Sequence, residues 1–301
     1  MAVPLDNTRR LLAAGIATVA LFTAACGSDD PAAGGDAASG TAADAPQAIV
    51  SLSPTTTEML YAIGAGDQVI AVDDQSDYPA DVPVTELSGY TPNVEAVLGY
   101  EPDLVVATAD TADLVAGLEQ AGVETLILPA AENLDDTYTQ LEQLGVATGH
   151  VADAAGLVAQ MRTEIDEILA GLPARETPLR YYHELDNTFY SVTDDTYIGE
   201  IYSMLGLTSI ATGGNGYPQL SAEYILEQDP DVIFLADGQC CGVTPETVAE
   251  RAGWNELTAV RDGHVYVLDE DIASRWGPRV VDLVREVARV VGGIPAAQPT
   301  S

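Results

Sequence analysis

Glu95-Ala96-Val97-Leu98-Gly99-Tyr100-Glu101-Pro102-Asp103-Leu104-Val105-Val106-Ala107 and Glu223-Tyr224-Ile225-Leu226-Glu227-Gln228-Asp229-Pro230-Asp231-Val232-Ile233-Phe234-Leu235-Ala236 carry one pattern twice: E-x-x-L-x-x-x-P-D followed by an apolar run. In each copy an N-cap residue, Asn93 or Ser221, places the Glu in the first turn of a helix, and the Pro stops that helix. The apolar run that follows has no polar alternation, so it reads as a parallel strand buried on both faces. One supersecondary unit occurs in each half of the chain, which predicts two α/β lobes.

Working outward, residues 48–52, 68–72, 125–128, 179–182 and 264–268 read as further strands, with helical patterns at 56–63, 111–121 and 200–205. Helices alternating with strands predict mostly parallel sheets covered by helices. Between the halves, residues 151–172 hold apolar side chains at helical spacing. A helix of that length is about 33 Å long and stiff enough to join two lobes.

Composition narrows the function. The 301 residues carry 47 Asp+Glu against 11 Lys+Arg, a formal charge of −36. Such a chain repels phosphate, and with no basic stripe it is not a nucleic-acid binder. All the cations are Arg. Without Lys there is neither a Schiff-base amine nor a P-loop lysine. No G-x-S-x-G, H-E-x-x-H or C-x-x-C pattern is present, so the chain reads as a binding protein and not an enzyme.

The first 25 residues read as an export signal: Arg9-Arg10, an uncharged apolar run too short to span a bilayer, then Thr23-Ala24-Ala25. Cys26 after two small residues resembles the lipobox of bacterial lipoproteins and is the expected lipidation site. Residues 26–46, rich in Gly, Ala, Ser and Asp, form a flexible linker. The expected product is exported and held by a lipid on the extracytoplasmic face of the cell envelope. Its globular part divides into an N-terminal lobe (47–150), a connecting helix (151–172) and a C-terminal lobe (173–301).

The ordered set Ile49-Val50-Ser51-Leu52-Ser53-Pro54-Thr55-Thr56-Thr57-Glu58, Gly64-Ala65-Gly66, Ser76-Asp77-Tyr78-Pro79, Tyr217-Pro218-Gln219-Leu220-Ser221 and a C-terminal helix expected from Asp271 to Arg289 resembles the substrate-binding proteins of bacterial ABC importers for vitamin B12 and iron complexes. The resemblance covers residues 47 to 293. It implies the class III periplasmic binding protein fold, two Rossmann-like lobes on one backbone helix, and a cobalamin or iron-chelate ligand between them. Cobalamin is the favoured ligand, with a ferric siderophore, haem or a bare metal ion as alternatives.

The resemblance assigns ligand contacts to Tyr78, Tyr90, Tyr217, Asp271 and Arg275. Tyrosine supplies 13 of the aromatic side chains beside 2 Trp and 3 Phe, and a phenol with an apolar body suits a wet cleft gripping a flat, mixed-polarity ligand. Glu95 and Glu223, one per lobe, are the implied contacts with the two permease subunits. Arg275, in the non-helical Ser274-Arg275-Trp276-Gly277-Pro278, can donate to ligand amides or carboxylates. Few cations favour a near-neutral ligand over a strongly anionic one. His150, His183 and His264 are scattered, and only His183-Glu184 retains ligand character, so no resident metal site is expected. Adjacent Cys240 and Cys241 read as shaping a loop.

Overall fold

The computed structural model describes residues 45–295, so the expected export signal, Cys26 and the expected linker as far as residue 44 lie outside the described residues. The N-terminal lobe runs β1 (Ile49–Ser51), α1 (Pro54–Ala62), β2 (Val69–Val72), α2 (Val94–Leu98), β3 (Leu104–Ala107), α3 (Leu114–Gln120), β4 (Glu124–Ile127) and α4 (Leu134–Thr148). Helix α5 (Val151–Ala170) follows. The C-terminal lobe contains β5 (Leu179–Glu184), α6 (Tyr197–Met204), β6 (Leu207–Ser209), α7 (Ala222–Gln228), β7 (Val232–Leu235), α8 (Gly238–Cys241), α9 (Pro245–Ala249), α10 (Thr258–Arg261), β8 (Val265–Val267), α11 (Glu270–Ser274) and α12 (Val280–Gly293).

Both sheets are parallel and have the same topology, β2-β1-β3-β4 in one and β6-β5-β7-β8 in the other. The repeat explains why. Asn93 and Ser221 accept the backbone N–H of Ala96 and Tyr224, capping α2 and α7. Each unit then turns through a left-handed residue just before its proline, Glu101 (φ 55°) and Asp229 (φ 42°). The aspartate after the proline ties the new strand to its neighbour: Asp103 accepts N–H groups of Gln47 and Ala48 at 2.8 and 3.0 Å, and Asp231 accepts that of Arg180 at 2.7 Å.

One apolar cluster runs through both lobes. It joins Ile49 and Leu104 of the first sheet to Tyr181 and Phe234 of the second by way of Val158, Met161 and Ile165 of α5 and Val284 and Val287 of α12. Each sheet's other face has its own cluster. Helix α4 ends in the left-handed Gly149, and Gly145 lets α5 approach, since a methyl there would lie 2.5 Å from Ala154 Cβ. Because the continuous packing passes through α5, the link between the lobes is stiff. Pro278 and Gly277 interrupt the C-terminal helical stretch, which is therefore two helices with Arg275 and Trp276 in the break.

Candidate functional site

In open parallel sheets the place where strand order reverses leaves a crevice at the carboxyl ends of the strands. Here that point lies between β1 and β3 in the first lobe. Leu52 and Ser53, just past β1, and Thr108, just past β3, line a cavity of about 330 Å³ that is closed from the other lobe by Asp271, Ser274, Arg275 and Trp276. Tyr90, Asp271 and Arg275 therefore meet in one inter-lobe cavity, as do Asp73, Gln75 and Gly89, to which the sequence reading gave no role.

The other tyrosines stand elsewhere. Tyr78 lines a second cavity, of about 370 Å³, between α1, α5 and α12. Its ring carries the Arg279 guanidinium 4.3 Å from the ring centre. Tyr217 follows the Gly214–Gly216 turn, is half-exposed and lines neither cavity. Burial raises its phenol pKa.

Arg275 is held by carboxylates. Its Nη1 donates to Glu58 Oε1 at 2.8 Å and Asp77 Oδ1 at 3.1 Å, and its Nη2 donates to Asp271 Oδ1 at 2.6 Å and the Gln75 carbonyl at 3.3 Å. Arg279 adds a bidentate pair to the same Glu58, Nε to Oε2 at 2.8 Å and Nη2 to Oε1 at 2.5 Å. Burial opposes the charge on Arg275, but the hydrogen bond to Glu58 and the field of Asp271 outweigh it and hold its pKa above the ordinary value. Burial raises the Asp271 pKa, with Arg275 pulling the other way. Glu58, Asp77 and Gln75 belong to the first lobe and both arginines to the second, so this cluster clamps the lobes together. The sequence analysis gave Glu58 no role; α1 is buried from Thr55 through Leu60, and an acid in such a helix requires cationic partners.

The equivalent switch point of the second lobe is filled by protein. Glu184 ends β5, is fully buried, and its two carboxylate oxygens accept from Nη1 and Nη2 of Arg251, each at 2.6 Å. Asp237, two residues past β7, is also fully buried, and neither of its carboxyl oxygens has a partner among the described residues. Burial first, and the Glu184 charge second, push its pKa up to about 7. Beyond it Cys240 and Cys241 form a vicinal disulfide at the exposed end of α8.

His183 lies in the core with Nδ1 2.8 Å from the Tyr202 hydroxyl, and burial lowers its pKa to about 4. Its neighbour Glu184 being committed to Arg251, the pair does not form a metal site, and no group of three or more metal-ligating side chains occurs among the described residues. His150 and His264 stand apart, beside Asp153 and the Asp231 carbonyl. Glu95 and Glu223 are exposed in the first turns of α2 and α7, with no ion pair among the described residues.

Residues 49–272 match the model of the periplasmic binding protein family. The chain is 32% identical over 255 residues to an uncharacterised ABC transporter substrate-binding lipoprotein of Bacillus subtilis, spanning 82% of this chain and 80% of that one. It is 31% identical over 255 residues to a cobalamin-binding protein of Halobacterium salinarum, spanning 81% of this chain and 69% of its relative. In three dimensions it resembles the periplasmic vitamin B12 binding protein of Vibrio cholerae, with a TM-score of 0.68 and 27% identity over 82% of this chain and 96% of that one.

Proposed function

The chain belongs to the periplasmic binding protein family, and on that premise we propose that it is the extracytoplasmic, lipid-anchored receptor of an ABC importer, capturing a corrinoid between its lobes and handing it to the permease. The observation that carries this reading is the inter-lobe cavity at the first sheet's switch point, where Tyr90, Asp271, Arg275 and Trp276 converge. Relatives named for cobalamin and vitamin B12 supply the ligand class. An aromatic edge beside fixed polar groups suits a flat macrocycle with a polar rim.

At about 330 Å³ the cavity is smaller than a corrinoid. The ligand therefore enters by its edge while the lobes part. The contacts that yield are the long ones from Arg275 to exposed Asp77 and to the Gln75 carbonyl, freeing donor capacity for ligand amides, while the buried pair with Glu58 persists. Through α5 and the shared core the motion stays small. Tyr78 and Tyr217 contact the parts of the ligand that extend past the cavity.

Glu95 and Glu223 dock the loaded protein, one carboxylate per permease subunit. Their equivalent places in the repeat, their exposure and their lack of ion-pair partners among the described residues support this role. Charge pairs of this kind set orientation and encounter rate more than affinity. Cys26 provides the membrane anchor.

The test is thermal unfolding of the unlipidated exported chain against cyanocobalamin, a ferric hydroxamate, hemin and Zn²⁺. A ligand that binds only the folded state raises the melting temperature by mass action. The reading expects the large rise with cyanocobalamin. A rise confined to the hydroxamate or hemin keeps an importer receptor and replaces the corrinoid; a response to Zn²⁺ alone removes the inter-lobe site assignment.

A further inference from the structure

Asp73 directly follows β2 and lines the inter-lobe cavity, yet its side chain is almost wholly buried. Its position is fixed from behind. The Ser76 hydroxyl donates to Asp73 Oδ1 at 2.5 Å, Thr57 Oγ1 lies 2.9 Å from Ser76 Oγ and donates to Ser51 Oγ at 2.9 Å, and Ser51 meets Thr56 at 2.8 Å. The Asp73 backbone N–H donates to the Ser51 carbonyl at 2.9 Å. This relay of hydroxyls sets one carboxyl oxygen.

The other oxygen, Oδ2, has no hydrogen-bond partner among the described residues and lies beside Gly89 on the cavity wall. A methyl group at Gly89 would stand 3.2 Å from Oδ2 and 2.3 Å from the Leu52 carbonyl, so only a glycine leaves this wall open. An acceptor held rigidly and left unpaired in a cavity is matched by a ligand donor, because leaving it empty-handed in a complex costs affinity.

The surrounding charge selects the kind of donor. Asp73 and Asp271 both line the cavity, and its one guanidinium, Arg275, is engaged by Glu58, Asp77 and Asp271. A carboxylate-bearing chelate meets net negative charge there, whereas a neutral N–H meets an acceptor. Burial raises the Asp73 pKa, and the Ser76 hydroxyl pulls the other way.

Resting on the proposed chelate-binding role of this cleft, we propose that Asp73 is a specificity-determining residue, whose free carboxyl oxygen selects ligands rimmed with neutral carboxamide N–H groups over ligands rimmed with carboxylates.

The test is calorimetric titration of the exported chain and its Asp73→Asn, Asp73→Ala and Ser76→Ala variants with cyanocobalamin, which has an amide rim, and with hemin, which has a carboxylate rim. In Asp73→Asn the amide nitrogen replaces Oδ2, a donor facing donors. Cyanocobalamin affinity is expected to fall roughly 10- to 100-fold in Asp73→Asn and Asp73→Ala, hemin affinity to rise in Asp73→Asn, and Ser76→Ala to lose a few-fold by releasing the carboxyl. Apo melting temperatures identify any variant that fails to fold, and Asp73→Asn with Ser76→Ala then carries the comparison. Wild-type binding of cyanocobalamin that is unchanged in Asp73→Asn overturns this proposal and leaves the corrinoid reading intact. A wild-type protein that prefers hemin, or binds no corrinoid, overturns both.

Discussion

Replacing Asp237 by Asn should change how stability depends on pH. Asp237 sits fully buried at the carboxyl end of the second sheet, facing Glu184, Tyr182 and the Arg251 guanidinium that Glu184 already holds. Burial and the Glu184 charge raise its pKa from 3.8 to about 7. In the unfolded chain the group ionises at its ordinary value. The protonated form is thus favoured by folding: its contribution is complete below about pH 3.8 and is lost as pH rises through about 7. That interval of roughly three pH units, at about 1.36 kcal/mol each, sets an upper bound on the order of 4 kcal/mol. Water entry and relaxation lower it, so about 2–4 kcal/mol is expected. Asn has nearly the same shape and cannot ionise, so it removes the buried charge without opening a cavity. Melting curves of the apo protein at constant ionic strength should show the variant equal to wild type near about pH 4 and more stable near about pH 8, by on the order of 5–15 °C. A difference that stays constant across this range would refute the reasoning, because it would place the Asp237 titration at the same pH in both states.

Other consequences follow from the same geometry. Glu58→Ala leaves the largely buried Arg279 guanidinium without its ion pair, removes one of three carboxylates from Arg275, and should cost about 3–5 kcal/mol, read as a lowered denaturant midpoint; Glu58→Asp, which keeps the charge, should recover part of it. Gly89→Ala pushes a methyl against the Leu52 carbonyl and should weaken ligand binding in a titration more than it lowers the melting temperature. Asn93→Ala and Ser221→Ala each remove a helix cap and should each destabilise by about 1 kcal/mol in chemical unfolding. The double variant Glu95→Ala/Glu223→Ala should abolish uptake in a transport assay while ligand affinity in solution is unchanged; loss of ligand affinity would count against a docking role.

The architecture was legible where the chemistry is local. The E-x-x-L-x-x-x-P-D repeat carries its own caps, its helix stop and its strand, so the two lobes and the parallel sheets could be read from it, and apolar spacing gave the helix between them. Helix starts were less accurate at α3, where Ala112 and Asp113 take left-handed backbone before Leu114 begins the helix. The side chains of the proposed site come from distant parts of the chain. Of the five side chains expected at the ligand, Tyr90, Asp271 and Arg275 line one inter-lobe cavity, Tyr78 lines the neighbouring one, and Tyr217 lines neither. Glu58 and Arg275 are 217 positions apart, and nothing local announces that pair. Asp73 and Asp237 looked like two more acids in an acidic chain. Their significance is burial, which a composition so rich in carboxylates conceals.

The central claim, that a cobalt-bearing macrocycle sits between the lobes, is tested most directly by locating the metal. Crystals of the exported chain grown with cyanocobalamin, measured on either side of the cobalt absorption edge, should give one anomalous peak between the lobes, beside the cavity formed by Tyr90, Asp271, Arg275 and Trp276. A peak at the α1–α5–α12 cavity, or a fully formed crystal complex with no cobalt in the cleft, would contradict the account.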